Sequence, residues 1–191
     1  PVSGVVAEVV RGEKRKLLEV RIKADEKQEY VDFGKKKVSE MSAEQIKEAL
    51  LAAGLWPALT QRPYGIIANP ETKPKAIFVS SFSTAPLAAN LDYALNEELA
   101  NIQTAVEALA KLTDGGVHVG IGGANESVTP FKKLQNVTFH TFEGKHPAGN
   151  VGVQIHHVSP VQKGEIVWTV SAVMLAAIGK LFNTGKYDLR R

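Results

Sequence analysis

Within the strand candidate at residues 17–22, Val20 and Ile22 alternate with the polar positions Glu19, Arg21 and Lys23. That period of two predicts a half-buried strand. A second β-rich stretch, residues 5–10, lies across the charged turn 11–16, and the two strands read as one β unit. Two strands bury no core of their own, so residues 1–38 are expected to need partner strands.

The period changes after Met41. Ser42 and Gln45 form an S-x-x-Q capping box, and Met41 and Ile46 sit at hydrophobic-staple positions. Ile46, Ala49, Leu50 and Ala53 then recur at helical spacing, and Gly54 supplies the stop. Residues 55–65 read as a loop rich in proline and aromatic side chains, and 69–74 as a polar linker. From Ala76 strands and helices alternate. Residues 76–79 are a continuous apolar run suited to a strand covered on both faces. A helix over 96–112, strands at 117–121, 137–142 and 166–170, and a last helix from Ser171 to Phe182 follow. The pattern predicts an α/β fold with a doubly wound sheet over residues 75–191, preceded by a helix and linker loop over 39–74.

Composition narrows the chemistry. With 44% hydrophobic and 23% charged residues, the 191-residue chain has the balance of an ordinary folded domain. No apolar run reaches the about 18–20 residues that cross a bilayer, and no secretory signal pattern is present. The chain has no cysteine, which removes disulfides, thiolate catalysis, Fe–S clusters and cysteine-ligated zinc together. The net charge of +3 is modest. Its basic runs, residues 11–16 and 35–37, read as solvated turns, with nucleic-acid or lipid contact as the alternative. The chain begins at Pro1 inside a β motif and ends at Arg190-Arg191, and is expected to be an excised piece of a longer polypeptide.

Gly120-x-Gly122-Gly123 follows a strand and precedes a possible helix start at Asn125-Glu126-Ser127, where glycines can cradle a phosphate. Glu143 lies where a ribose-binding carboxylate would sit in a dinucleotide fold. These residues define an alternative function, an independent nucleotide- or flavin-binding oxidoreductase. Asn125 in place of the last glycine, and Pro130 shortly after, weigh against it. His118, His140, His146, His156 and His157 show no metal-ligand spacing; the adjacent His156 and His157 would point to opposite faces of a strand. Ser80, Ser81, Ser83 and Ser127 lack a G-x-S-x-G elbow. No catalytic residue and no metal ligand is expected. Two loops remain, Gly54-Leu55-Trp56-Pro57 with Arg62-Pro63-Tyr64, and residues 144–152 with His146 and Gly149. They either cap the sheet ends or meet a flat ligand or a partner surface.

The ordered set Pro1-Val2-Ser3-Gly4-Val5-Val6, Gly54-Leu55-Trp56-Pro57-Ala58, Arg62-Pro63-Tyr64, Ala76-Ile77-Phe78-Val79 with Thr84-Ala85-Pro86-Leu87-Ala88, His146-Pro147-Ala148-Gly149, Val167-Trp168-Thr169-Val170 and Ile178-Gly179-Lys180-Leu181-Phe182-Asn183-Thr184-Gly185 covers nearly the whole chain. Together these motifs resemble the A-type subunit family of the bacterial sodium-translocating NADH:quinone oxidoreductase. The resemblance implies a Rossmann-like domain similar to the flavin-binding domain of the NADH-oxidising subunit of respiratory complex I and of the Rnf complex. Residues 1–38 would be part of a β barrel-sandwich (biotinyl/lipoyl-like) module, and a β-grasp region would follow Arg191. Where those relatives carry a glycine-rich flavin loop, this chain has Gly54-Leu55-Trp56-Pro57-Ala58-Leu59-Thr60-Gln61-Arg62. The family therefore implies no redox cofactor in this chain. NADH, flavins, an iron centre and ubiquinone would belong to the whole complex. Other subunits, above all the membrane-embedded quinone-reducing one, would be the partners, with no nucleic acid. The location would be peripheral, on the cytoplasmic face of the bacterial inner membrane. Trp56, Arg62, Tyr64, His146 and Gly149 are the residues expected to contact a quinone or a partner subunit.

Overall fold

The computed structural model describes residues 2–188. Pro1 and the terminal arginine pair, both used above to place the chain's ends, lie outside the described residues. It contains two units, one ending at Asp32 and one starting at Phe33.

In the first unit, Gly4–Arg11 (β1) and Leu17–Ala24 (β2) pair antiparallel, with register shifts between Val6 and Glu8 and between Val10 and Arg11. The first shift keeps the hairpin two-sided. Val6 opposes Ile22 and Val9 opposes Val20 on one face, while Glu8 opposes Arg21 on the other. Arg21 bridges Glu8 and Glu19 on that polar face. Val6, Val9, Val20 and Ile22 are all between 41% and 55% exposed. The apolar face is therefore formed but uncovered. At the tip, Gly12 N–H donates to Lys16 O at 2.8 Å. Lys14 and Arg15 both take left-handed backbone angles, φ 53° and 62°, a region where side chains other than Gly, Asn and Asp are uncommon.

The second unit is a mixed α/β structure. Its strands are Thr60–Arg62 (β3), Ile66–Ile67 (β4), Ile77–Ser80 (β5), Val117–Gly122 (β6), Val137–Phe142 (β7) and Val167–Thr169 (β8), arranged in the order β4-β3-β8-β5-β6-β7. The last four in that order are parallel, and β3 runs antiparallel to both β4 and β8. The helices are Ala43–Ala52 (α1), Leu91–Ala94 (α2), Leu99–Ala110 (α3), Val151–Val158 (α4) and Ala172–Thr184 (α5). Ile77, Val79, Val117, Val119, Ile121 and Trp168 share one core with the apolar stripes of α1, α3 and α5. Ala76, Phe78 and Val167 form a second core with Ile155 of α4 and its neighbours Val151 and Val158. Alternate residues of β5 thus enter opposite cores, which is why its sequence is apolar without interruption. Gly179 lets α3 and α5 meet closely, since a Cβ there would overlap the Asn101 backbone carbonyl.

The α1 signals are realised in full. Ser42 Oγ accepts from Gln45 N and Gln45 Oε1 from Ser42 N, Ile46 and Leu50 are fully buried, and Gly54 at φ 71° ends the helix. Truncating Leu50 to alanine would cost about 2–5 kcal/mol. A lysine secures the lead-in to this helix. Lys111 Nζ, just past α3, donates to the carbonyls of Val38, Ser39 and Met41 at 2.6, 3.1 and 2.7 Å.

Several expectations are corrected. Residues 60–62 and 66–67 lie in the main sheet and not in a loop, held there by pairing of β3 with β8. The long helix begins at Leu99 after a 3-10 turn at Asn96–Glu98, without a side-chain cap from Asn96. Residues 151–158 form a helix, so His156 and His157 lie in its C-terminal turn and not on a strand.

Candidate functional site

The chain runs from β5 through α3 to β6 and β7, then returns through α4 to place β8 on the other side of β5. The order of strands reverses between β5 and β8, and open α/β sheets bind ligands outside the strand ends at such a reversal. A cleft of about 700 Å³ lies there. Ser80 at the end of β5, Thr169 to Ser171 at and after the end of β8, Ala58, Thr60 and Arg62 around β3, and residues 149–153 line it. The N-terminal turn of α4 and the capping residue of α5 both face this space, which brings the positive ends of two helix dipoles together. Ser171 Oγ accepts from Met174 N, whereas Asn150 makes no side-chain cap on α4. Arg62 is the single charged side chain among the lining residues, and no carboxylate joins it. Its Nε–H is buried without a hydrogen-bond partner among the described residues.

The wall of the cleft is tied by a buried amide. Gln154 Nε2 donates to Ser80 Oγ at 3.0 Å and to Ala148 O at 3.3 Å. Ser80 Oγ in turn lies within hydrogen-bond reach of the Phe82 and Gly149 carbonyls. The Ser80 hydroxyl is consumed by this network and holds loop to strand. Sequence reasoning passed over Gln154. Its signal was a lone amide in the otherwise apolar turn Val151-Gly152-Val153-Gln154-Ile155.

A second cleft, about 540 Å³, sits over the ends of β5, β6 and β7 and includes Asp92, Gly122, Gly123, Thr129 and Glu143. Here lies the glycine-rich turn. A Cβ on Gly120 would strike the Gln154 amide, one on Gly122 the Phe82 ring, and one on Gly123 the Glu143 side chain. Gln154 abuts Gly120 within β6, whereas Phe82 and Glu143 crowd Gly122 and Gly123 at the edge of a hollow that stays open. No α-helix starts at Asn125 either; residues Gly123–Asn125 form a 3-10 turn. The phosphate cradle of the alternative reading thus lacks an α-helix N-terminus, and Glu143 packs on Gly123.

Of the five residues expected to contact a ligand or partner, Arg62 and Gly149 line the first cleft together. Trp56 is 3% exposed, donates its indole N–H to Ala68 O at 2.7 Å and meets Trp168 edge-on at 5.5 Å. It is a core residue, closed to a stacking ligand. Tyr64, 82% exposed, stands on the turn between β3 and β4. His146 Nδ1 lies 3.3 Å from Thr84 Oγ1, which also accepts from Gly149 N. Since that hydroxyl accepts the amide, its own proton is available to the imidazole.

His118 and His140 form a pair of their own. His118 Nε2 lies 3.1 Å from Gly115 O, a pure acceptor, so that nitrogen carries the proton. Nδ1 then accepts from His140 Nε2 at 2.8 Å, and Phe78 stacks on the His118 ring. Burial lowers both pKa values from their ordinary range, helped at His140 by repulsion from His118. No group of three or more metal-ligating side chains gathers among the described residues, and no described helix is long and apolar enough to cross a membrane.

Residues 41–187 match the family model described as NqrA second alpha/beta domain. The chain is similar to the A-type subunit of the Na(+)-translocating NADH-quinone reductase of Serratia proteamaculans, 40% identical over 196 residues that take in 100% of this chain and 43% of that protein. Proteins of the same name from Yersinia pestis and Pseudomonas aeruginosa are each 38% identical over 188 residues, covering 97% of this chain and 42% and 41% of theirs. The chain spans less than half the length of these relatives.

Proposed function

The chain belongs to the family of the NqrA second alpha/beta domain, and from that premise we propose that it serves as part of the A-type subunit of a bacterial Na+-translocating NADH–quinone reductase. In this reading it sits peripherally on the cytoplasmic face of the membrane, holds no flavin, pyridine nucleotide or iron of its own, and catalyses no step alone. It docks on the other subunits, the membrane-embedded quinone-reducing one foremost, and takes a quinone headgroup or a partner side chain in the cleft between β5 and β8. Its α/β unit is a Rossmann-like shell related to the flavin domains of NADH-oxidising subunits. Its hairpin is part of a barrel-sandwich module whose other strands cover Val6, Val9, Val20 and Ile22.

One observation carries the reading. Phe82 and Glu143 crowd Gly122 and Gly123, and no α-helix starts at that turn, whereas the lining of the β5–β8 cleft includes Arg62 with no carboxylate beside it. A quinone carbonyl or a partner carboxylate is the acceptor that such a donor lacks.

Calorimetric titration of the full-length protein tests it. A short-chain, water-soluble quinone is expected to bind, FMN and NADH are not, and Arg62→Met should weaken the quinone about tenfold. Stoichiometric FMN or NADH, or quinone affinity untouched by Arg62→Met, would overturn the reading.

A further inference from the structure

The hairpin tip is chemically unlike the rest of the first unit. Arg11, Lys14, Arg15 and Lys16 crowd into six residues beside a single acid, Glu13. All four are exposed, and none joins an ion pair among the described residues, although Arg21 nearby on β2 is bridged twice. The turn is also closed at a conformational cost. Lys14 and Arg15 are consecutive left-handed residues, as in a type I′ turn, for which Asn-Gly is favoured. Long cationic side chains occupy the positions where backbone geometry asks for small ones. Arg11 Nη1 donates to Arg15 O and helps to hold the tip in this shape. Immediately after it, Leu17 and Leu18 are 55% and 57% exposed.

From this combination we infer that the tip between β1 and β2 is a contact for an anionic phospholipid surface. Four cations outside any ion pair among the described residues, on a short, pinned turn, approach a plane of lipid phosphates together, and two aliphatic side chains beside them reach the acyl boundary. Leucines at this position favour a bilayer over nucleic acid, whose bases are met by aromatic or planar groups. The inference goes beyond the proposed function, because it needs neither an occupied cleft nor a quinone.

The test is sedimentation of the 191-residue chain with large vesicles of phosphatidylcholine alone and of phosphatidylcholine with about 30% phosphatidylglycerol, both free of quinone. The chain is expected to bind the anionic vesicles selectively, and less as salt rises. Each basic side chain contributes about fivefold, so Lys14→Asn with Arg15→Gly should weaken binding roughly 25-fold. That double variant carries the favoured turn sequence, so its unfolding curve should match or exceed the parent's. Leu17→Asn should lower the binding that survives high salt. Equal binding to neutral vesicles, an unchanged double variant, or tighter binding to duplex DNA or polyglutamate than to anionic vesicles would each overturn the inference.

Discussion

Two hollows open on the same end of the sheet, and they differ in what fills them. The one over β6 and β7 has the glycines that suggest a phosphate site, yet Phe82 and Glu143 crowd Gly122 and Gly123. The one between β5 and β8 has an ordinary-looking sequence, yet it gathers Arg62, two helix N-termini and no carboxylate. Glycine content is therefore a poor guide to an open backbone. What matters is whether another part of the chain has claimed the space.

That contrast can be broken by substitution. The largest effect is expected at Gly149, where a methyl group meets the backbone of Ser83 and Thr84; Gly149→Ala should lose about 3 kcal/mol of stability in urea titrations. Gly120→Ala displaces the buried Gln154 amide from Ser80 and Ala148 and should lose about 2 kcal/mol. Gly123→Ala meets only the exposed Glu143 side chain, which can swing aside, so stability should change by less than about 0.5 kcal/mol. If Gly123→Ala instead unfolds the chain, or the parent chain binds a nucleotide at this turn, the crowded-turn picture fails.

A subtler comparison uses pH. The His118–His140 pair lies on the strands that frame the second hollow, and both pKa values are lowered. The unfolded chain then binds protons more readily than the folded one below the ordinary histidine value of about 6.5. Stability should be fully present above that pH and fall as pH drops from it through the lowered folded values. His140→Gln should flatten this slope, measured as the midpoint of thermal unfolding between neutral and mildly acidic buffer.

Local signals carried the elements that depend on local chemistry. The Ser42–Gln45 box, the Gly54 stop and the apolar run of β5 were readable because each is written within a few residues. The elements that escaped depend on tertiary partners. β3 has three residues, Thr60-Gln61-Arg62, too few to show a period, and is a strand because β4 and β8 pair with it. α4 combines glycine with β-branched residues, poor helix formers; burial of Ile155 against Phe78 and Val167 overrides them. The candidate site was half readable for the same reason. Arg62 and Gly149 were singled out as separate loop residues, but only the strand reversal brings them to one cleft. Trp56 has the composition of a ligand platform and the position of a core anchor, a difference that no local pattern encodes.

The ammonium of Lys111 sits at the apex of three carbonyl oxygens from the turn before α1. That pyramid matches the three protons of an amine and defeats the flat fork of a guanidinium. Exchanging lysine for arginine, a harmless swap on most protein surfaces, should here unmoor the residues leading into the first helix while leaving the overall charge untouched.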